Sequence, residues 1–275
     1  MALYIRTNVA SLEAQRQLAG SQRELGLSFQ RLSSGFRINS AADDAAGLGI
    51  TESMSAQLRS YAVAERNTND AISMSETADG AAQEISNILQ RLRELAVQSS
   101  NGSLQAQDRT NLNTEFTTLR GEIDRIANVT KFNGQNLLAG AAATVNFQVG
   151  IGTSASDQIS VQFGGVTSSA LGVSGSAVDT VANAQLSITA VDAAIQALST
   201  TREGFGAAVN RLQSTVSNLK SMHTNLAAAH SRIKDTDVAE ETATLARTQV
   251  ISQAGAAVLT QANQSPQLAL SLLKG

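Results

Sequence analysis

Reading alternately three and four residues onward from Ile188 gives Ile188, Val191, Ile195, Leu198, Arg202, Phe205, Val209, Leu212, Val216, Leu219, His223, Leu226, His230 and Ile233. Eleven of these fourteen positions are apolar. A mean spacing of about 3.5 residues is that of a coiled-coil seam. A straight helix over this stretch would be about 70 Å long at about 1.5 Å rise per residue. Such a helix needs other helices to lie against. Leu112, Phe116, Leu119, Ile123 and Ile126 repeat the 4-3-4-3 spacing. Ile85, Leu89, Leu92 and Ala96, widened by Ile88 and Leu95, stripe a proline-free stretch from Ala45 to about Ser99. Asn101-Gly102 breaks the second helix from the third. Three long helices in one bundle are predicted.

Between the seams at 112–126 and 188–233 the period drops to two. Val145, Phe147, Val149 and Ile151 alternate with polar or small residues. A polar loop, GTSASD, follows, and then Ile159, Val161 and Phe163 alternate again. Two such runs around a polar loop predict a β-hairpin near 143–165. Asn133-Gly134 predicts a tight turn. Residues 140–180 are rich in Ala, Gly, Ser and Thr, which reads as a surface excursion.

The chain ends carry weaker stripes. Leu18, Leu25, Phe29 and Leu32 mark the first forty residues, and Ile251, Ala254, Val258 and Ala262 the last forty. Neither has a local partner, so the two are expected to pair, bringing both ends of the chain together. The expected fold is mainly α: a long coiled-coil-like bundle with a small β-hairpin, plus paired N- and C-terminal helices. The expected division is a terminal-helix domain of 1–40 with 236–275, and a bundle domain of 41–235. Stripes this thin bury little area, so the terminal helices are expected to gain their order on assembly.

Composition sharpens this reading. Only 3% of the 275 residues are aromatic and one is proline, which suits long helices packed through Ala, Leu, Ile and Val. A net charge of −3 without a basic block argues against nucleic acid as a partner. Without cysteine there are no disulfides and no thiolate chemistry. MALYIRTNVASLEAQ has no apolar stretch of secretory-signal length, and no run approaches the about 18 residues that span a membrane. If the protein leaves the cell, a signal-independent route is expected, and no membrane partner is.

Candidate chemistry is sparse. His223 and His230 lie seven apart on the seam without an HExxH motif, and read as polar seam positions rather than metal ligands. Gly150 and Gly152 lack the Walker lysine. Gly204 and Gly206, inside the long helix, read as sites of close helix approach. No nucleophile–base pair, cofactor motif or metal set emerges, so an enzyme is not expected. RLSSGFRINSAADDAAGLGI (31–50) joins two helical segments. Gly35 can end the first in a left-handed turn. Ser40 and Asp43 have capping-box spacing, and Asp43 with Asp44 would occupy a first helical turn. Arg31 and Arg37 are the expected partners of these carboxylates, in the same chain or a neighbouring one.

Long collinear stretches carry a family resemblance. NVASLEAQRQL, QRLSSGFRINSAADDAAGLGI, QRLRELAVQSSNG, TEFTTLRGEIDRIA and KFNGQNLL, then GAAVNRLQSTVSNL, HSRIKDTDVAEE and ARTQVISQAGAAVLTQANQSPQLALSLL, closely resemble bacterial flagellin. The resemblance implies an extracellular subunit of the flagellar filament, exported unfolded and polymerised into a helical tube that serves motility. It implies terminal helices lining the filament core, with Leu18, Leu25, Phe29, Leu32, Ile251, Ala254 and Val258 among their contacts. It also implies an export apparatus and export chaperone, filament cap and hook-junction proteins as partners. Toll-like receptor 5 is implied at QRLRELAVQ, through Arg91 and Leu95 with Glu115 beside them. Where many flagellins insert large outer domains, this chain has room only for the hairpin, so a minimal form is expected. The alternative is a hook-filament junction protein or another coiled-coil secreted filament or adhesin component. The intact KFNGQNLL segment and the hairpin favour flagellin.

Overall fold

The computed structural model describes residues 7–274. Five helices dominate: α1 (Val9–Ser34), α2 (Ala45–Ser99), α3 (Ala106–Val129), α4 (Val181–Lys234) and α5 (Val238–Lys274). Between α3 and α4 come four strands, β1 (Lys131–Phe132), β2 (Gln135–Asn136), β3 (Ala143–Gln148) and β4 (Gln158–Phe163). Among the described residues, no helix is long and apolar enough to cross a membrane.

The chain forms two compact units. One gathers the chain up to Ala56 with that from Asn225 onward, and the other is Gln57–Thr224. The divisions fall inside α2 and α4 rather than at the helix joints near 40 and 236 that the sequence suggested.

In the Gln57–Thr224 unit the bundle closes around the expected seam. Val191, Leu198, Phe205, Leu212 and Leu219 are buried, and Ile188, Ile195, Arg202, Val209 and Val216 are half-buried between them. Ile85, Leu89, Leu92 and Ala96 of α2 and Phe116, Ile123 and Ala127 of α3 complete the core. The half-buried Arg202 donates to Asp79 of α2 at 2.8 Å, so this seam cation pairs across helices. Gln105 precedes α3, and its amide donates to Asp108 Oδ2 at 3.0 Å, one of the otherwise unpaired groups of a helix start.

The hairpin β3–β4 is antiparallel, with Ala143 opposite Phe163 and Gln148 opposite Gln158. In β4 every second residue is buried: Ile159, Val161 and Phe163. Phe163 stacks on Phe205 with ring centroids 5.5 Å apart, and Phe147 meets Phe163 edge-on at 6.4 Å. The hairpin is thereby pinned to the middle of α4. Ile151 falls out of the alternation and is exposed, because the chain has already turned at Val149 to bond the Asp157 carbonyl. Gly150 leaves room for the Asp157 side chain: a Cβ there would lie 2.0 Å from its Oδ1. Asn133 (φ 46°) and Gly134 (φ 82°) form the tight turn between β1 and β2 that their sequence predicts.

Two expectations fail in this unit. Residues 164–180 are not a surface excursion. Val166, Val173 and Val178 are fully buried, and Ser168 donates to Asp124 through both its amide and its hydroxyl, at 2.8 and 2.7 Å. Asn113 accepts from the Val178 amide at 2.9 Å. The apolar residues here are isolated among small polar ones, so no period betrayed them. Gly204 and Gly206 do not mark a close helix approach either, since a Cβ on each would meet nothing within 4 Å.

Candidate functional site

The joint between α1 and α2 is built from backbone upward. Gly35 caps α1 in the left-handed conformation at φ 75° and returns its amide to Arg31 O at 2.8 Å. The chain then pairs with the end of α4 through a bridge between Phe36 and Asp235. The Arg37 amide donates to Lys234 O at 2.7 Å, the Arg37 guanidinium to Ile233 O at 2.7 Å, and the Thr236 amide to Gly35 O at 2.9 Å. Arg37 thus satisfies two carbonyls that the last turn of α4 leaves open. Lys234 Nζ lies 5.0 Å from the centre of the Phe36 ring.

The acidic pair follows its spacing only in part: Asp43 makes the reach-back bond to the Ser40 amide, but neither aspartate lies in the first turn of a helix. α2 begins at Ala45, so Asp43 lies outside the helix. Its carboxylate accepts from the amides of Asn39 (3.1 Å) and Ser40 (2.8 Å) and from the Ser40 hydroxyl (3.0 Å). Asp44 is the capping residue, accepting from the Gly47 amide at 2.8 Å. Gly47 has no room for a side chain, because a Cβ would lie 2.4 Å from Asp44 Oδ2 and 2.6 Å from Ile38. The Ser40 amide, the Asn39 amide and the Ser40 hydroxyl, in that order, hold the Asp43 carboxyl below the usual carboxylate range; the Arg31 charge adds a smaller push. Neither arginine pairs with this carboxylate couple. Arg31 meets Glu241 of α5 at 3.6 Å, and Arg37 goes to the α4 carbonyls. A nearby three-residue carboxylate bonds its own preceding turn more readily than a distant arginine.

In the same unit α1 lies along α5. Asn8 reaches Ala262 O at 2.7 Å and Ser11 reaches Asn263 at 2.7 Å. Ser11, Ala14, Leu18, Ser21, Leu25, Ser28 and Leu32 are the inward positions of α1, spaced three and four apart. Their counterparts on α5 are Glu241, Leu245, Thr248, Ser252, Gly255, Leu259 and Ala262. Leu18 sits 3.5 Å from where a Gly255 Cβ would be. Leu18, Leu25 and Leu32 therefore face inward as read, but Phe29, Ile251, Ala254 and Val258 do not. Phe29 is 52% exposed, Ile251 48% and Val258 59%, joined by Val9, Leu12 and Val250. Small residues share the α5 contact face with Leu245 and Leu259, so of the predicted α5 stripe only Ala262 faces inward, and Ile251, Ala254 and Val258 fall on the neighbouring face.

In the other unit Arg91 is the hub of an exposed ionic cluster. Its Nε and Nη2 donate to Glu115 Oε1 at 3.0 and 2.9 Å, and its Nη1 to Glu94 Oε2 at 2.9 Å. These bonds, with Glu94 first, raise its already high pKa. Leu95 is fully buried in the core, so it stands behind the cluster and not on the surface with Arg91 and Glu115. The sequence reading missed a second bridge, Arg93 to Asp192 at 2.6 Å, which ties α2 to α4. No group of three or more potential metal-ligating side chains comes together among the described residues.

The bacterial flagellin N-terminal helical region matches residues 5–143, and the bacterial flagellin C-terminal helical region matches residues 188–273. The chain belongs to the bacterial flagellin family. It is 43% identical to a flagellin of Halalkalibacterium halodurans over 274 residues, covering 99% of this chain and all of that one. It is 47% identical to the B-type flagellin of Pseudomonas aeruginosa over 172 residues, covering 62% of this chain and 35% of that one. The chain therefore spans the whole of one flagellin but only about a third of the other. A putative flagellar hook-associated protein from Vibrio parahaemolyticus shares the fold, with a TM-score of 0.58 at 16% identity over 70% of this chain and all of that one. As a flagellin, the chain is a structural subunit of the flagellar filament, in a family of structural proteins and not enzymes. The fold is mainly α, with two small antiparallel strand pairs between α3 and α4 in this chain.

Proposed function

We propose that this flagellin leaves the cell unfolded, through an export apparatus and with an export chaperone, and becomes ordered at its ends only as it polymerises outside. The carrying observation is the inverted terminal pair. Ser, Thr and Gly occupy much of the α1–α5 seam, while Phe29, Val250, Ile251 and Val258 point outward. A pair so built gains little from closing on itself and has apolar area left to cover. Identical subunits repeating one non-closing contact give a helical filament, and these faces are where neighbouring copies bury area. The proposed domain roles follow: the terminal pair lines the filament core, and the hairpin-bearing bundle forms the wall around it.

Removing residues 236–275 abolishes filaments on this reading, as seen by electron microscopy of seeded monomer. Amide exchange on free monomer gives a second test: full protection of α1 before assembly would defeat the ordering step. Filament cap and hook-junction proteins are the proposed neighbours at the filament ends, bound through the same terminal helices.

The Arg91 cluster is the proposed contact for Toll-like receptor 5, with Arg91 and Glu115 offering charged groups and Leu95 supporting the helix beneath. Arg91→Ala in free monomer then weakens receptor signalling without moving the melting temperature. Leu95→Ala lowers both. Equal signalling from Arg91→Ala and the parent monomer would exclude the cluster.

A further inference from the structure

Asn101 and Gly102 lie in the connection between α2 and α3, both exposed. Asn101 folds over its own following backbone, its Oδ1 accepting from the Ser103 amide at 3.1 Å. Its main-chain carbonyl is held separately, by Arg109 Nη2 at 2.8 Å and more loosely by the Leu104 amide at 3.3 Å, while Arg109 Nε holds Ser99 O at 3.0 Å. The Gly102 amide takes part in no hydrogen bond among the described residues. A Cβ on Gly102 would meet nothing within 4 Å, and its φ is not in the left-handed region. A free nitrogen therefore adjoins an amide carbonyl whose oxygen already faces a donor.

We propose that Asn101-Gly102 is a self-modifying site, at which the folded chain converts Asn101 to isoaspartate. The Gly102 nitrogen attacks Asn101 Cγ. The oxygen that becomes negative is the one the Ser103 N–H already faces, an arrangement that stabilises such an intermediate. The Cγ–Nδ2 bond then breaks, and Nδ2 leaves as ammonia, carrying away the proton lost from Gly102. The product is a five-membered succinimide. Water opens that ring at either carbonyl. Opening at the former main-chain carbonyl routes the backbone through the side chain and frees a carboxylate at that carbonyl. This is the carbonyl that Arg109 holds and polarises. A guanidinium bonds a carboxylate more strongly than a neutral carbonyl, so Arg109 steers water there and retains the product. Arg109 is a positioning residue: it directs the outcome without supplying the nucleophile.

The second Asn-Gly pair provides an internal comparison. Asn133 is exposed as well, but its φ of 46° is fixed by a two-residue turn between paired strands, with Leu137 and Leu138 buried just beyond. Ring closure there must first undo the turn.

The experiment incubates the full-length chain at neutral pH and follows two peptides by mass spectrometry. One is the tryptic peptide spanning 94–109; the other carries Asn133. Isoaspartate is counted with an isoaspartyl methyltransferase. The 94–109 peptide is expected to gain the acid form several times faster than the Asn133 peptide. Gly102→Ala, which the open space tolerates, is expected to slow this roughly tenfold at unchanged melting temperature. The ratio of isoaspartate to aspartate is expected to exceed that of the urea-unfolded chain, and Arg109→Lys to return it to the unfolded value. Conversion at Asn133 first, or a native 94–109 peptide that stays amidated while the unfolded chain converts, overturns the site. Equal ratios in native and unfolded chains overturn the role of Arg109.

Discussion

The two helical seams of this flagellin are built to opposite plans. Along α4 within the bundle, the inward positions are Val191, Leu198, Phe205 and Leu212, and the outward face is mostly polar, with Leu186 and Met222 as exceptions. Along α1 and α5, eight of the fourteen inward positions are Ser, Thr, Ala or Gly with five leucines between them, while Phe29, Val250, Ile251 and Val258 point out. Both have the same 3.5-residue rhythm. The first seam is finished within one chain. The second brings small residues to the helix contact and leaves Phe29, Val250, Ile251 and Val258 exposed.

Five variants press on that difference and on the joint beside it. Phe205→Ala removes a fully buried ring that also stacks on Phe163, and should cost about 3–5 kcal/mol of bundle stability, read from chemical unfolding of the monomer. The double change Phe29→Ala with Val258→Ala should leave that same unfolding curve within about 0.5 kcal/mol. Its effect should appear as a raised critical concentration for filament growth. If the monomer suffers instead, the two seams do not differ as described.

The joint gives a middle-sized effect. Asp44→Ala strips the cap of α2 and should cost about 1 kcal/mol, seen as a lower melting temperature. Asp43 adds a pH signature. Its carboxyl is held below its ordinary value in the folded chain, so its contribution is complete above the unfolded pKa of about 3.9 and fades as the pH falls through the folded one. An Asp43→Asn chain should lose less stability than the parent on acidification below that point. The smallest effect is a gain. Gly255→Ala places a methyl at ordinary contact distance from Leu18 and relieves a mid-helix glycine, adding about 0.5–1 kcal/mol to α5, read as helicity by circular dichroism.

Much of this architecture was legible in the sequence because bulky residues mark faces. The limits of α2, the α4 seam, the Asn133-Gly134 turn and the hairpin all followed from period and turn chemistry. The α5 stripe was misassigned for a physical reason. Period identifies a face but not what covers it, and on α5 Thr248, Ser252 and Gly255 interrupt the bulk of Leu245 and Leu259 that would have marked the seam. Val166, Val173 and Val178 escaped because irregular backbone has no period at all. At the joint, the charges were visible but their partners were not. Arg37 finds carbonyls at the end of a helix almost two hundred residues away, which no local spacing encodes.

That last distance bears on how the chain is made. The bonds between 35–38 and 234–236, and the reach of Asn8 to Ala262, join segments from opposite ends of the polypeptide. Contacts of such sequence separation form late, after the intervening loop is closed. A chain emerging from either end carries one half of the terminal pair with nothing to zip against until the other end arrives. Closure of the pair therefore needs both ends of the polypeptide, so a chain cut short before α5 leaves α1 without the helix it lies along.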